Sequence, residues 1–168
     1  MNFHWTQDFN IICGTPCIGK TTMGQKYDNV IDLMSSPYKF LDYNPKLAEQ
    51  NKGIWTQKNP NFIRDYVRAI LSHSRKYALV LLSMNEDLFV AMDNQNIKYA
   101  IAYSPVEAKQ VIEQRFIDRG NDMDFVKKVM SKFESRAKAD ELRKCTLIKV
   151  LPNQFIEQAL ANYQNRTF

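Results

Sequence analysis

The segment that most constrains this chain is a short glycine-containing loop close to its start. From residue 14 to residue 22 the sequence is Gly14-Thr15-Pro16-Cys17-Ile18-Gly19-Lys20-Thr21-Thr22. Its first eight residues match the Walker A pattern G-x-x-x-x-G-K-[ST], which has structural meaning when a strand precedes it and a helix follows. The apolar run Phe9–Cys13 predicts that strand, and residues 20–27 predict the helix. We therefore predict that residues 14–22 bind the phosphates of a nucleoside triphosphate.

The chemistry of phosphate binding explains each residue type in the loop. Glycines let backbone N–H groups close around a polyphosphate, and the positive end of the following helix points at the same group. Lys20 is expected to reach the terminal phosphates, and the Thr21 hydroxyl is expected to hold Mg²⁺. The loop does not say what is done with the nucleotide.

Composition indicates one globular domain covering residues 1–168, with about 45% apolar and 24% charged residues. We find no apolar run near the twenty residues that span a bilayer, and no signal-peptide pattern at the start of the sequence. These features favour a cytoplasmic protein without a membrane partner. The net charge of +5 is spread along the chain, so it permits a nucleic-acid partner without favouring one, and it leaves the oligomeric state open.

Three cysteines are scattered without the spacing of a zinc site or a disulfide framework. Cys17 has two interpretations, because it lies in the loop just before a helix. It is either a reactive thiol or a packing residue, and we favour the packing residue.

Strands and helices are predicted to alternate along the chain. The predicted strands are 9–13, 29–34, 77–83, 98–103 and 145–151, and the predicted helices are 20–27, 62–76, 85–94, 104–119, 122–143 and one opening at 152. Ser104-Pro105-Val106-Glu107 is interpreted as a capping box that begins its helix. Residues 36–60 are predicted to be a long irregular connection, and residues 164–168 a frayed tail. The alternation predicts a three-layer α/β fold with a five-stranded parallel sheet.

Polar residues follow the second and third predicted strands. Asp32, Ser35 and Ser36 lie where the carboxyl end of a parallel strand forms a ligand crevice, although Asp32 could instead cap a local loop. The third strand ends in Ser83, whereas many P-loop enzymes place a metal-binding carboxylate there. The metal role therefore falls to Asp32 or to water. Aromatic residues of the long connection, including Tyr38 and Phe40, could contact a base or simply pack.

Three arginines are predicted to meet near one point. Arg115 and Arg119 are four residues apart, and Arg136 lies on the helix beyond Gly120-Asn121. Guanidinium groups stabilise the charge that spreads over phosphoryl oxygens during transfer. The alternative is that Arg115 and Arg119 lie on a solvated helix face, where acidic neighbours balance their charges.

Taken together, these motifs resemble the P-loop nucleoside monophosphate kinases, especially the compact variants of phages and Gram-positive bacteria. The resemblance is carried, in order, by Ile12-Cys-Gly-Thr-Pro-Cys-Ile-Gly-Lys-Thr21, Ile31-Asp-Leu-Met-Ser-Ser36, Asn59-Pro-Asn-Phe62, Leu82-Ser83, Tyr103-Ser-Pro105 and Glu113-Gln-Arg-Phe-Ile-Asp-Arg-Gly-Asn121. It implies strand order 2-3-1-4-5, and transfer of the γ-phosphate of ATP to a nucleoside monophosphate, of the ribo or deoxy type, with Mg²⁺. It also implies a short helical lid over roughly residues 113–138.

The resemblance assigns roles to individual residues. The implied catalytic residues are Lys20, Asp32, Arg115, Arg119 and Arg136, with Thr21 and Asp32 at the metal. The implied acceptor residues are Ser35, Ser36, Tyr38, Phe40, Arg64, Arg68 and Ser83. The acceptor region lacks the usual paired arginines, for which only Arg64 and Arg68 are available. Two alternatives stay open: a kinase of a nucleoside, a nucleic-acid 5′ end or another small hydroxyl substrate, and a non-catalytic ATP-binding regulatory module.

Overall fold

Five parallel strands form a single sheet in the computed structural model, which describes residues 1–50 and 53–166. The strands are β1 (Ile11–Gly14), β2 (Val30–Asp32), β3 (Leu79–Ser83), β4 (Ala100–Tyr103) and β5 (Thr146–Lys149). Their order is β2-β3-β1-β4-β5, so the predicted topology is confirmed. Gly14 pairs with Ser83 on one side and with Ala102 on the other. The carboxyl ends of the three central strands therefore lie at one edge of the sheet.

The described helices alternate with these strands. They are α1 (Lys20–Lys26), α2 (Ser36–Lys39), α3 (Pro45–Glu49), α4 (Phe62–Ser74), α5 (Glu86–Asn94), α6 (Lys109–Asp118), α7 (Met123–Met130), α8 (Phe133–Glu141) and α9 (Ile156–Asn165), with a 3₁₀ turn at Val106–Ala108. Among the described residues, we see no helix with the length and apolarity that crossing a membrane requires.

Apolar residues cover both faces of the sheet, as the continuous apolar strands predict. Ile12 packs into a core that includes Met23 of α1 and Leu160 of α9. Its neighbours Ile11 and Cys13 point to the other face, where they pack with residues of α4 and α5. Since successive side chains of a strand point to opposite faces, the two cores lie on either side of the sheet. The fold therefore has the three predicted layers.

The helix that we predicted over residues 122–143 is wrong as a single element. It is two helices, α7 and α8, separated at Ser131 and Lys132. The Ser131 hydroxyl donates to the Lys128 carbonyl over 2.8 Å. The backbone of Lys132 is no longer helical. The physical reason is tertiary: α7 packs on α6, whereas α8 packs on β4. Met130 is buried on α7 and Ala137 on α8, so each helix buries a face of its own.

The predicted capping box at Ser104 is also wrong. Ser104 is buried, and its hydroxyl oxygen lies 3.1 Å from that of Thr15 instead of capping a helix. Pro105 is extended, a 3₁₀ turn follows, and α6 begins only at Lys109. The contact with the loop across the sheet edge has replaced the local cap.

The last helix likewise begins later than residue 152. Its first residue is Ile156, whose N–H donates to the Ile18 carbonyl over 2.8 Å. Pro152 and Asn153 form a turn, and Phe155 is extended, so that the carbonyls of Pro152 and Gln154 can accept from Arg115 in place of a helical turn. The tail is not frayed at Gln164, since this side chain is buried and donates to the His4 carbonyl. Residues 167 and 168 lie outside the described residues.

The connection over residues 36–60 is more regular than we predicted. It contains α2 and α3, and an isolated antiparallel bridge joins Phe40 to Lys58. The Asp42 carboxylate accepts hydrogen bonds from the backbone N–H groups of Thr56 and Gln57, which lowers the pKa of that carboxyl. Sequence periodicity missed them because α2 and α3 are only four and five residues long, and the bridge joins residues far apart in the chain. Residues 51 and 52 lie outside the described part of the chain.

Candidate active site

The phosphate loop connects β1 to α1 through a tightly folded backbone. Thr15 donates its N–H to the Ala102 carbonyl over 3.0 Å, which fixes the loop to the end of β4. Gly19 has φ 93°, a conformation that residues with a Cβ rarely adopt. A Cβ at Gly14 would come within 2.8 Å of the Ile18 side chain. The two glycines therefore permit a cradle of backbone that other residues would fill.

Lys20 lies inside this cradle. Its Nζ donates to the Gly14 carbonyl over 3.0 Å and to the Thr15 carbonyl over 2.8 Å. Burial lowers the pKa of Lys20, while the negative charge of Asp32 acts in the opposite direction. The ammonium group is thus held across the loop, at the place where the chemistry of the motif requires a cation.

Thr21 and Asp32 form a second part of the site. The Thr21 hydroxyl donates to the Asp32 carboxylate over 2.6 Å, which joins the start of α1 to the end of β2. A hydroxyl and a carboxylate are hard oxygen ligands of the kind that Mg²⁺ takes, and this ion usually completes its shell with water and phosphate. We find no group of three or more acidic, His or Cys metal ligands among the described residues. The pair fits a site that the nucleotide itself helps to complete.

The back of the loop is fixed by Arg115 from α6. Its guanidinium donates to the carbonyls of Cys17 over 3.2 Å and Gln154 over 3.1 Å, and more weakly to Pro152 over 3.4 Å. It also stacks on the Phe155 ring at 4.1 Å. Of the predicted lid arginines, this one joins the loop to the segment before α9.

The Cys17 side chain is buried, and burial raises the pKa of its thiol. Nearby arginine charges oppose that shift without reversing it. The thiol therefore stays protonated near neutral pH, which supports packing over reactivity.

Arg119 and Arg136 are exposed and approach the loop from different directions. Arg119 is close enough for its charge to lower the pKa of Lys20 and of Cys17. Neither guanidinium group has a hydrogen bond or an ion pair within residues 1–50 and 53–166. Arg136 lines a cavity beside the loop. Both guanidinium groups are thus available to an incoming anion.

The cavity has a volume of about 380 Å³ and lies between the loop, the ends of two strands and the helices α6 to α8. Its lining residues near the loop include Gly14, Thr15, Pro16, Ser83, Asn85 and Ser104. Because Gly14 and Thr15 also receive the Lys20 ammonium, the cavity opens directly on the predicted phosphate site. Its volume is within the range of small-molecule sites.

The structure divides the predicted acceptor residues into two groups. Ser83 lines the cavity beside the loop. The others lie on or next to α2 and α4, where Tyr38 packs on Tyr66 at 5.3 Å and Arg64 pairs with Asp65 at 3.0 Å. Ser35, Ser36, Phe40 and Arg68 belong to the same region and line neither this cavity nor the shallower one around Thr21 and Asp32.

Several cavity residues escaped the sequence analysis. Ser104 directly follows β4, and Ser83 is the last residue of β3. This position after a strand is the signal that indicates Ser104, but the local pattern favours a capping box. At Asn85 the sequence predicts only a helix start, and the Asn85 side chain does accept the Leu88 N–H of α5 over 2.9 Å. The apolar residues Phe116 and Phe133 carried no signal, since their spacing is that of ordinary core residues.

No family model and no curated protein matches this chain. Among solved structures, it is similar to a tunicamycin resistance protein of Deinococcus radiodurans, with 13% identity, 96% of each chain covered and a TM-score of 0.56. It is also similar to a gluconokinase of Sinorhizobium meliloti, with 13% identity, 94% of this chain and 92% of the other covered, and a TM-score of 0.52.

A third similar structure is described as a sugar kinase of Janibacter sp. HTCC2649. It has 13% identity and a TM-score of 0.51, with 95% of this chain and 94% of the other covered. Membership of the nucleoside monophosphate kinase family is not confirmed by these comparisons. Identities this low carry the fold alone, and the chain has the three-layer P-loop α/β fold.

Proposed function

We propose that this protein is an ATP-dependent phosphotransferase that acts on a small molecule. The observation that carries the proposal is the cavity of about 380 Å³ bounded by Gly14, Thr15 and Pro16, next to the Lys20 ammonium. An acceptor in that cavity would lie beside the terminal phosphate of a nucleotide on the loop. Positioning and charge stabilisation account for most of the catalysis of phosphoryl transfer.

The residues of the site have separate roles in this proposal. Lys20 and the loop N–H groups stabilise the transferred group, while Arg119 and Arg136 approach it from the helices beyond the loop. Thr21 and Asp32 would hold Mg²⁺, which neutralises phosphate charge when bound. The helices α6 to α8 cover the cavity and exclude water, so that transfer to the acceptor competes well with hydrolysis.

We propose that the acceptor is a small molecule that carries a hydroxyl group, and we rank this class above nucleoside monophosphates. A monophosphate acceptor calls for paired arginines, yet Arg64 is bound to Asp65, and neither Arg64 nor Arg68 lines the described cavities. Two of the similar solved structures are described as a gluconokinase and a sugar kinase. Nucleoside monophosphates are the second candidates, because Arg136 could bind one phosphate in the cavity.

A coupled assay of ADP release tests this function. ATP and Mg²⁺ are presented with nucleoside monophosphates, nucleosides, sugars, sugar acids, apolar alcohols and a 5′-hydroxyl oligonucleotide. Turnover with a small-molecule acceptor is the expected result. ATP binding with no turnover on any acceptor would instead support the regulatory module.

Lys20→Ala is the variant that tests the phosphate site. We expect loss of ATP binding and of turnover, because the loop would lack its buried ammonium group. Lys76→Ala is the matched control, since Lys76 lies before β3, at the opposite end of the sheet. Isothermal titration calorimetry measures both variants, and unchanged ATP affinity in Lys20→Ala would refute the proposed site.

A further inference from the structure

The wall of the cavity that faces away from the loop is apolar. Ile112 and Phe116 come from α6, Val129 from α7, and Phe133 and Ala137 from α8. Ile112, Phe116 and Ala137 are buried within the protein, and Val129 and Phe133 are half-buried. Three helices thus present apolar side chains to the cavity, and α8 also supplies Arg136 and Asp140 to its lining.

Most charges around the cavity neutralise one another. The Arg143 guanidinium binds the Glu86 carboxylate and also donates to Asp140 over 2.8 Å. It stacks on the Phe89 ring at 4.9 Å as well. These contacts occupy the Arg143 guanidinium, so it is not available to bind a ligand. Of the guanidinium groups that line the cavity, only Arg136 lacks a partner among the described residues.

Polar groups are concentrated at the end of the cavity near the loop. The hydroxyls of Thr15 and Ser104 are 3.1 Å apart, and Ser83 ends the neighbouring strand. Asn85 uses its side-chain oxygen to cap α5, while its amide nitrogen makes no hydrogen bond within the described part of the chain. The cavity is therefore polar where a phosphoryl group would arrive and apolar at its far side.

We propose that the acceptor is an uncharged alcohol with an apolar body, such as an aromatic ring or a branched hydrocarbon. Its hydroxyl lies at the loop, near Asn85 and the Thr15–Ser104 pair, and its body packs on Phe116 and Phe133. In the transfer, a bond forms between the acceptor oxygen and the γ-phosphorus, and the bond from that phosphorus to the bridging oxygen of ADP breaks. The hydroxyl proton passes to an oxygen of the transferred phosphoryl group and is lost to solvent when the product leaves.

This inference rests on the proposed phosphotransferase function and narrows its acceptor class. In the proposed function Arg136 is engaged by the transferred phosphoryl group, so a sugar acid or a nucleotide would place a charged or heavily hydroxylated group against the apolar wall, where its loss of hydration is not compensated. An apolar body, in contrast, gains free energy from leaving water. The two acceptor classes therefore predict opposite orders of affinity.

Equilibrium binding tests the order directly. The probe is 2-naphthylmethanol, followed by its intrinsic fluorescence with and without ADP and Mg²⁺, and the comparison ligands are gluconate and AMP. We expect saturable binding of 2-naphthylmethanol, at least about tenfold tighter than that of gluconate, since an aromatic group gains free energy when it leaves water for an apolar wall. Weaker binding than gluconate or AMP, or no saturable binding in either condition, would overturn the inference.

A pair of phenylalanine variants locates the binding site. Phe133→Ser removes part of the apolar wall and is expected to weaken 2-naphthylmethanol binding by about tenfold. Phe9→Ser is the matched control, because Phe9 is half-buried like Phe133, packs on Trp5 and Tyr163 at the end of the sheet away from the loop, and does not line the cavity. We expect the control to bind the probe within about twofold of the parent. Equal affinity of both variants and the parent would overturn the proposed wall.

Val129→Asn provides a second test should Phe133→Ser not fold, because Val129 is only half-buried and the change keeps a similar volume. It is expected to weaken the probe severalfold and to leave ATP affinity unchanged. ATP affinity separates the two hypotheses. A parent protein that binds 2-naphthylmethanol but not ATP contradicts the phosphotransferase, whereas one that binds ATP and prefers gluconate contradicts only the apolar acceptor.

Discussion

Arg119 lies one helical turn beyond Arg115, but its guanidinium is exposed and its charge acts on Lys20. Nothing in the described residues binds it in the absence of a ligand. Such a group is suited to a charge that develops only during phosphoryl transfer, when the equatorial oxygens become its partners.

We expect Arg119→Ala to lower kcat by on the order of a hundredfold while the free energy of unfolding changes little. The reason is that the side chain makes no described contact that folding depends on. Arg75→Ala serves as the control, since Arg75 follows α4 at the opposite end of the sheet from the loop. Steady-state kinetics on the best acceptor measures both variants. An unchanged kcat would show that Arg119 is a solvated surface residue without a role in the transfer.

Arg115→Ala should behave differently, because Arg115 supports the loop instead of waiting for a ligand. Its loss leaves carbonyl groups of Cys17 and Gln154 without their donor and removes the stacking on Phe155. We expect about 2 kcal/mol of destabilisation together with weaker ATP binding. Urea unfolding gives the first quantity and calorimetry the second.

Arg115→Lys refines that prediction, since it keeps the charge and loses the planar fork. It should recover little of the stability if the three carbonyl contacts matter, and most of it if charge alone matters. Full stability in Arg115→Ala would contradict a supporting role altogether.

At the scale of elements, the turn between α6 and α7 is a Schellman motif. Gly120 donates its N–H to the Ile117 carbonyl, and Asn121 donates to the Phe116 carbonyl. Gly120 has φ 76°, which favours glycine, although nothing lies within 4 Å of the position of an added Cβ. The turn sets how α7 leaves α6, and both helices supply the apolar wall of the cavity.

Gly120→Ala therefore isolates the conformational cost of this turn without any steric clash. We expect about 1 kcal/mol of destabilisation, and less for Gly120→Asn, because asparagine tolerates the left-handed conformation better. Chemical denaturation of the three proteins measures the order. Equal stability of the alanine variant and the parent would show that the turn does not require glycine.

At the scale of the whole molecule, the first ten residues pack at the end of the sheet opposite the phosphate loop. Trp5 packs against Phe3, Phe9 and Tyr163, so that the N-terminal segment meets α9. Gln164 adds hydrogen bonds to Thr6 and His4 on the same surface. The contacts of Trp5 with Tyr163 and of Gln164 with Thr6 and His4 join residues more than 150 positions apart and lie away from the phosphate loop.

Trp5→Ala is expected to cost about 3 kcal/mol of stability, since it removes a large aromatic side chain from this cluster. ATP affinity should stay unchanged when measured well below the unfolding temperature, because the cluster does not touch the site. Thermal unfolding and calorimetry give the two values. A loss of ATP affinity in a fully folded Trp5→Ala protein would show coupling between the two ends of the sheet.

The sequence alone determined the sheet and the phosphate loop. Apolar strands such as Ile11–Gly14 must be buried on both faces, and the loop motif requires a strand before it and a helix after it. These constraints are local, so they can be read from neighbouring residues. The confirmed strand order followed from the family resemblance that the loop and its neighbouring motifs supplied.

Only the tertiary structure decided what surrounds the loop. Ser104 has the local pattern of a cap, yet a contact with Thr15, 89 positions away, governs it. Arg115 lies in α6 and Arg119 caps its end one turn later, but only the Arg115 guanidinium binds the segment before α9. Phe133 lines the cavity as the first residue of α8, because the helix is interrupted between α7 and α8. Contacts between distant residues outweigh local preferences wherever burial and hydrogen bonding across elements contribute more free energy than a helix cap or a continued helical turn.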